Sequence, residues 1–398
     1  MHTISLLMAT SKIFENTETA FSLKSEKELK HSYLLFKLMA NPTLVSIGSG
    51  LTRFGFNAHL PIKGLVKSTV FKQFCGGETE QACLPLINRM AEKGIYSILD
   101  YSVEGKESEA DFNAAMKKKL ELVSFAKEKE QIPFVVMKPT ALGRFDLFAK
   151  VTSKKELTAA ETDEWKRIEK RFDAICKATY EAGLRIMVDA EETWMQDSCD
   201  DLVKLMMQRY NKERVTVFNT IQCYRWDRVG YLKALHEESK TEGYKLGMKI
   251  VRGAYMEKER ERAEAKGYKS PICANKEETD QTFNGALDYI MDNLDTIALF
   301  VGTHNEASTY LALKLIEEKK LPKNTNSVWF GQLYGMSDHI TFNLAENGYN
   351  AVKLIPFGPV REVIPYLIRR AEENTSVAGQ TGRELTLLMK EKARRAKL

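Results

Sequence analysis

Arg185-Ile-Met-Val-Asp-Ala-Glu-Glu192, then the charged, helically periodic Asp200–Glu213, then Thr216-Val-Phe-Asn-Thr-Ile-Gln222 decide how this chain folds. A short apolar run ending in carboxylates passes through one helix to a second apolar run, which is a strand–helix–strand unit. The unit recurs on both sides of this stretch. Apolar runs stand at Ile95–Asp100, Phe134–Lys138, Arg185–Ala190, Thr216–Gln222, Gly247–Arg252, Thr296–Thr303, Ser327–Gln332 and Ala351–Pro356. Helical segments stand at Asp111–Glu130, Glu161–Gly183, Asp200–Glu213, Ala307–Lys320 and Pro359–Asn374. Alternating strands and helices place their strands in parallel and cover the faces with crossovers. Eight repeats fit a closed (β/α)8 barrel better than an open doubly wound sheet, and no G-x-G-x-x-G or G-x-x-x-x-G-K-[ST] follows the early strands to favour the latter. The expected architecture is α/β, with a barrel over 95–380 and a helical arm over 1–94. That arm reads as helices at Glu26–Met39 and Pro85–Lys93 around a glycine-containing middle (Gly48, Gly50, Gly55, Gly76, Gly77), and a basic helix or tail follows over 381–398.

The composition of this 398-residue chain, 43% hydrophobic and 28% charged with 10 Pro and 23 Gly, is that of a globular protein and excludes collagen-like or wholly disordered classes. Its +5 net charge is a small difference between 59 basic and 54 acidic residues, which gives nucleic-acid binding no support. Apolar runs such as Phe134–Met137 and Ile297–Val301 are strand-sized, far short of the roughly 18 residues that span a bilayer. The first thirty residues mix Glu15, Glu18, Glu26 and Glu28 with lysines, unlike a transit peptide, and lack a signal peptide's apolar stretch. A cytoplasmic address is expected by default, with membrane association at the inner face as the variant. A mitochondrial one would need a eukaryotic source and a transit peptide missing here. Six scattered cysteines with no CxxC pair indicate neither a zinc site nor a disulfide framework.

Barrel active sites form at strand C-termini, so polar residues ending the apolar runs are the candidates. They are Asp100 with Glu104, Lys138, Asp189 with Glu191 and Glu192, Gln222, Lys249, Arg252, Thr303-His304-Asn305, Gln332 and, on the last helix, Arg369-Arg370. Each has a plain alternative: a rim ion pair for a lone Lys or Asp, a solvated helix face for the two arginines, a satisfied core position for His304. No Ser or Cys sits in a nucleophile elbow and no HxH or HExxH occurs. A site of Lys, Arg, Gln and Tyr without a nucleophile points to an anionic substrate and an organic cofactor that carries the chemistry.

Taken together, Asp100-Tyr-Ser-Val-Glu-Gly, Met137-Lys-Pro-Thr-Ala-Leu-Gly-Arg144, Val188-Asp-Ala-Glu-Glu192, Ile221-Gln-Cys-Tyr224, Lys249-Ile-Val-Arg-Gly-Ala-Tyr255, Thr303-His-Asn305, Gln332-Leu-Tyr-Gly-Met336 and Tyr366-Leu-Ile-Arg-Arg-Ala-Glu-Glu-Asn374 resemble the proline dehydrogenase family over about residues 70–380. The resemblance implies a distorted (β/α)8 TIM-like barrel binding FAD at the strand C-termini, oxidation of L-proline or a close imino acid to Δ1-pyrroline-5-carboxylate, and a quinone as electron acceptor. It assigns Arg369, Arg370 and Lys138 to the substrate carboxylate, Asp189 to a supporting layer, and Glu104 to a gate that pairs with Arg369. Ala254, Tyr255, Leu333 and Tyr366 would form apolar walls. On the flavin side it assigns Gln222, Lys249, Arg252, Gly253, Thr303, His304, Asn305 and Glu373.

Two departures from the family pattern stand out. Leu354 occupies the position of a tyrosine that crowds C4 of the substrate ring, a tyrosine also lost in the hydroxyproline dehydrogenase branch; hydroxyproline oxidation is therefore the alternative activity. Lys249 stands where long bifunctional members carry Arg, which resembles the single-activity branch. A reading of a different class is a Schiff-base lyase or aldolase on Lys138 or Lys249. For the C-terminal Leu385–Leu398 segment a solvated helix is expected, with peripheral membrane contact as the alternative.

Overall fold

The computed structural model describes residues 13–58, 60–102, 107–376 and 380–398. Eight strands form a closed barrel in chain order: β1 Ile95–Tyr101, β2 Phe134–Met137, β3 Arg185–Val188, β4 Val217–Gln222, β5 Leu246–Val251, β6 Ile297–Gly302, β7 Val328–Leu333 and β8 Ala351–Phe357. The strands pair in parallel, β1 with β8 from Ile95↔Ala351 to Tyr101↔Phe357 and β2 with β3 from Phe134↔Arg185 to Met137↔Val188. They are buried along nearly their whole length, as strands covered on both faces must be, and that is why they read as continuous apolar runs instead of alternating ones. Strand β2 opens with Phe134, whose ring meets Phe218, Phe300 and Trp329 edge-on at centroid distances of 5.6, 5.4 and 5.1 Å. Helix starts follow local chemistry. Ser108 with Asp111 and Thr158 with Glu161 form capping boxes, while Gly243 and Gly267 end their helices at φ 72° and 68°, a backbone that a side chain would strain.

The described residues group into two compact units, one of residues up to 102 with those from Gly331 onward, the other of residues 107 to Phe330. In the first, the helix Glu26–Met39 buries Leu29, Leu35, Phe36 and Met39 in a cluster with Phe74, Val363, Leu367, Leu387 and Leu388. Two expectations are corrected there. The glycine-containing middle is largely helical: Pro42–Asn57 runs through Gly48, Gly50 and Gly55, with the Asn41 side chain accepting from the N–H groups of Thr43 and Leu44 at 3.0 and 3.2 Å. Each glycine costs about 1 kcal/mol against Ala in a helix, a sum that the cap and the packing of Val45 offset. The C-terminal helix Gln380–Arg395 is not a solvated one. Leu387 and Leu388 are buried, and Glu391, also buried, receives Arg394 and Arg395 at 2.9 and 2.7 Å. All six cysteines are buried and unbridged.

Candidate active site

In the 107–330 unit the strand ends carry a connected polar set. The amide of Asp189, just past β3, donates to Met137 O at 2.9 Å, and its carboxylate pairs with Lys249 from β5. Lys249 is buried at 8% exposure and Asp189 is half-buried, so this pair is less screened than a rim ion pair. Two residues on, the buried carboxylate of Glu191 accepts from Thr140 N at 3.0 Å and Thr140 Oγ1 at 2.8 Å. Thr140 belongs to the turn Pro139–Ala141, which Lys138 opens, so Glu191 ties the end of β3 to the residues that carry Lys138. Burial pushes the Glu191 carboxyl up to about 7 against the opposing pull of Lys138 and the two Thr140 bonds.

Gln222, the last residue of β4, donates Nε2 to the carbonyl of Glu191 at 2.8 Å, while its Oε1 is buried with no hydrogen-bond partner. A buried acceptor left unmet costs about 1–3 kcal/mol, so this atom is suited to a donor brought by a ligand. At the end of β5, Arg252 donates to Asp280 from Nε and Nη2 at 2.9 and 2.6 Å, to Thr303 Oγ1 at 3.0 Å and to Ser308 Oγ at 3.0 Å. One of its N–H groups is left for another acceptor. Burial raises the Asp280 carboxyl, but the bonds from Lys276 and Arg252 outweigh it and hold the group low. Gly253 follows at φ 133°, and a Cβ there would fall 2.4 Å from ring carbons of the buried Tyr224. No other residue type fits, and the bare backbone of Gly253 and Ala254 is left exposed. Asn305 donates its amide to Thr303 Oγ1 at 3.1 Å and caps the helix Glu306–Glu318 through Ser308 N at 2.9 Å. His304 and Tyr255 are half-buried at their strand ends.

In the other unit, Leu333 ends β7 and Leu354 lies in β8, both half-buried, with Tyr334 N donating to Leu354 O at 2.8 Å. Lys353 is wholly buried. Its Nζ meets Asp338 at 3.0 Å and the carbonyls of Leu333 and Met336, so the residue beside Leu354 is fixed by charge. Tyr366 is buried on the helix Ile364–Ser376, and Arg370 lies over its ring at 5.4 Å, with Arg369 and Arg370 half-buried. Glu373 belongs to that helix, but its side chain lies outside the described residues, as does Glu104 altogether. Buried Asp100 accepts from Ser102 Oγ at 2.9 Å and Gln332 from Thr341 Oγ1 at 2.7 Å. Among the described residues no group of three or more His, Cys, Asp or Glu could hold a metal ion.

Sequence reasoning brought forward Asp189, Lys249, Gln222, Arg252 and Thr303, which the structure joins within one unit. It gave no role to Glu191, although that residue stood in the strand-end series, and it missed Asp280. The only local sign of Asp280 is its position four residues after Lys276, a pairing met at 2.5 Å.

The sequence model described as proline dehydrogenase matches residues 83–383. The carbapenem antibiotics biosynthesis protein CarD of Pectobacterium carotovorum subsp. carotovorum is 37% identical over 334 residues, covering 84% of this chain and 86% of its own. Human mitochondrial proline dehydrogenase 1 is 41% identical over 241 residues, covering 60% of this chain and 40% of that protein. The crystal structure of proline utilization A from Bdellovibrio bacteriovorus inactivated by N-propargylglycine superposes with a TM-score of 0.71 at 22% identity, covering 92% of this chain and 37% of that one. At that identity it speaks for the fold, and this chain spans about two fifths of it and of the human protein.

Proposed function

This chain belongs to the proline dehydrogenase family, and from that premise we propose that it oxidises L-proline to Δ1-pyrroline-5-carboxylate. The cofactor in this reading is FAD, which supplies the hydride acceptor for C5 of the substrate and passes the electrons to a quinone. The observation that carries the flavin reading is Gln222 Oε1, buried and without a partner at the end of β4, which pairs with β5, the strand that carries Lys249 and leads to the bare backbone of Gly253. An isoalloxazine edge offers an N–H for that oxygen. Lys249, held by Asp189, supports a position where negative charge grows as a ring is reduced. The one uncommitted N–H of Arg252, with Thr303, His304 and Asn305 nearby in sequence, suits a phosphate, and Glu373 is the family's further contact.

For the substrate, Lys138, Arg369 and Arg370 are proposed to hold the carboxylate, since planar forks and an ammonium pair well with one small anion. Tyr255, Leu333, Leu354, Tyr366 and Ala254 are proposed to form apolar walls, and Glu104 to close over Arg369. Orientation and exclusion of water are then the protein's share of the catalysis. Isolated protein should show a flavin band that L-proline bleaches without oxygen, with dye or quinone reduction and little NADH formation. A colourless protein that takes up no FAD and is trapped by borohydride with a carbonyl substrate would instead establish the Schiff-base reading.

A further inference from the structure

We infer that the helix Pro42–Asn57, with the exposed edge of Glu26–Met39 and the segment through Leu65, is a docking surface for an anionic lipid bilayer. Large apolar side chains collect there. Leu44, Ile47, Leu51 and Phe54 follow one another at steps of 3, 4 and 3 residues and so share one face of the helix, while Val45 and Ser49 are buried on the other. Leu34 and Leu38 on the preceding helix and Leu60 and Leu65 in the following segment are exposed as well. All eight are between 47% and 66% exposed. Elsewhere among the described residues, exposed large hydrophobics are scattered: Trp226, Met256, Tyr268, Met389 and Leu398. An apolar helix face of this kind, with further exposed leucines in the segments on either side, marks an interaction site.

The charge around it selects the occupant. From residue 29 to residue 77 there is no Asp or Glu, while Lys30, Lys37, Arg53, Lys63, Lys67 and Lys72 all lie in that stretch. With 54 acidic residues in 398, or one in about seven, 49 residues at the same rate would hold about seven. Lys30 and Lys37 make no ion pair among the described residues, and the remaining four meet Glu372, Glu78 and Glu28 in largely exposed pairs that exchange readily. An apolar helix face in a stretch that carries six cations and no acid of its own is the composition that lies in the headgroup layer of anionic membranes. A second copy is a poor occupant, because self-packing would bring together two surfaces on each of which six cations are only partly offset by three carboxylates. A transmembrane span is also a poor one. No single described helix is long and apolar enough to cross, the two helices bend by 100° at their junction, and Glu26–Met39 has its other face in the core. The C-terminal helix, whose Leu387 and Leu388 are buried, does not offer such a face.

The inference does not rest on the substrate or flavin reading, and its test is made without proline. The full chain is mixed with vesicles of phosphatidylcholine containing phosphatidylglycerol, and with vesicles of phosphatidylcholine alone, then floated on a density gradient at low and high salt. Wild type should float with the anionic vesicles, less at high salt, and remain below with the neutral ones. Leu51→Gln with Phe54→Gln should reduce the bound fraction at least tenfold. Each of Lys37→Gln and Arg53→Gln should weaken binding about fivefold, the scale of one cation at an anionic surface. Met389→Gln, on the exposed side of the C-terminal helix, should leave binding unchanged, and circular dichroism reports that each variant is folded. Wild type that stays below with anionic vesicles, or a folded Leu51→Gln/Phe54→Gln variant that floats like wild type, overturns the inference. So does light scattering that shows a dimer without vesicles which the double variant dissolves, since the face would then belong to a second copy.

Discussion

Replacing Glu191 with Gln should change how stability depends on pH in a way that no loss of packing imitates. The carboxyl is buried and its pKa rises from 4.5 to about 7 on folding, chiefly from burial. Between those values the folded chain holds a proton that the unfolded chain has released, so stability falls as pH rises through the window. The difference between 4.5 and about 7 corresponds to an upper limit of about 3 kcal/mol. Gln keeps the shape and an acceptor for Thr140 N–H, but its Nε2 can only donate to Thr140 Oγ1, so the hydroxyl bond now at 2.8 Å must reverse its direction. That reversal costs at most about 1 kcal/mol, and the same amount at every pH. At pH 5 the folded wild type is protonated but its unfolded chain has already released most of that proton, so the two proteins should differ by no more than a few tenths of a kcal/mol. At pH 8, where wild type carries a buried charge, the variant should be the more stable by about 2 kcal/mol. The assay is urea unfolding from pH 5 to 8, and the difference between the two proteins cancels every other titrating group. Two curves that run parallel would refute the buried-proton argument, whichever of them lay higher.

Three further outcomes are expected. Arg370→Met removes a charge-assisted bond to the proposed carboxylate worth roughly 1.5–3 kcal/mol, so steady-state kinetics should show KM for proline raised about ten- to a hundredfold with flavin content unchanged; an unaltered KM removes Arg370 from that role. Leu354→Tyr fills space beside the proposed C4 position and should lower kcat/KM for 4-hydroxyproline more than for proline, while in wild type a hydroxyl set against Leu costs about 1–3 kcal/mol and leaves proline preferred; a tenfold wild-type preference for hydroxyproline reverses the substrate assignment. Gly253→Ala sets a Cβ 2.4 Å from the ring of buried Tyr224 at a φ of 133°, so melting should fall by several degrees and bound flavin should be lost on gel filtration.

The barrel was legible because strands covered on both faces leave an uninterrupted mark. Phe134–Lys138 was expected and Phe134–Met137 found; Ala351–Pro356 was expected and Ala351–Phe357 found. The end of each run was legible for the same reason, since a polar residue is costly inside it and its appearance marks the rim. That is how Asp189, Gln222, Lys249 and Arg252 came forward. What was lost lies off the strands. Asp280 holds Arg252 from inside the helix Lys276–Met291, where a carboxylate looks like any solvated one. Glu191 and Glu192 are neighbours of the same type, yet one is bound to Thr140 and the other to Lys258, a distinction made by which neighbour arrives in space. Pro42–Asn57 was hidden by its glycines, whose local cost a propensity reading counts and whose tertiary compensation it cannot.

The pairing of β1 with β8 also sets a timetable for synthesis. Ile95 must find Ala351, about 250 residues later in the chain, before that seam exists. At roughly 5–20 residues per second, a ribosome spends about 13–50 s between the two. Residues 107–330 emerge as one uninterrupted unit and hold most of what they need, whereas β1, with Ile98 and Leu99 buried in the finished fold, waits without the strand that will flank it. Throughout that interval the nascent chain also displays the leucines of its first seventy residues. A holdase that captures ribosome-bound chains should therefore be found on the N-terminal hundred residues until β8 has left the exit tunnel, and slower elongation should lengthen its stay in proportion.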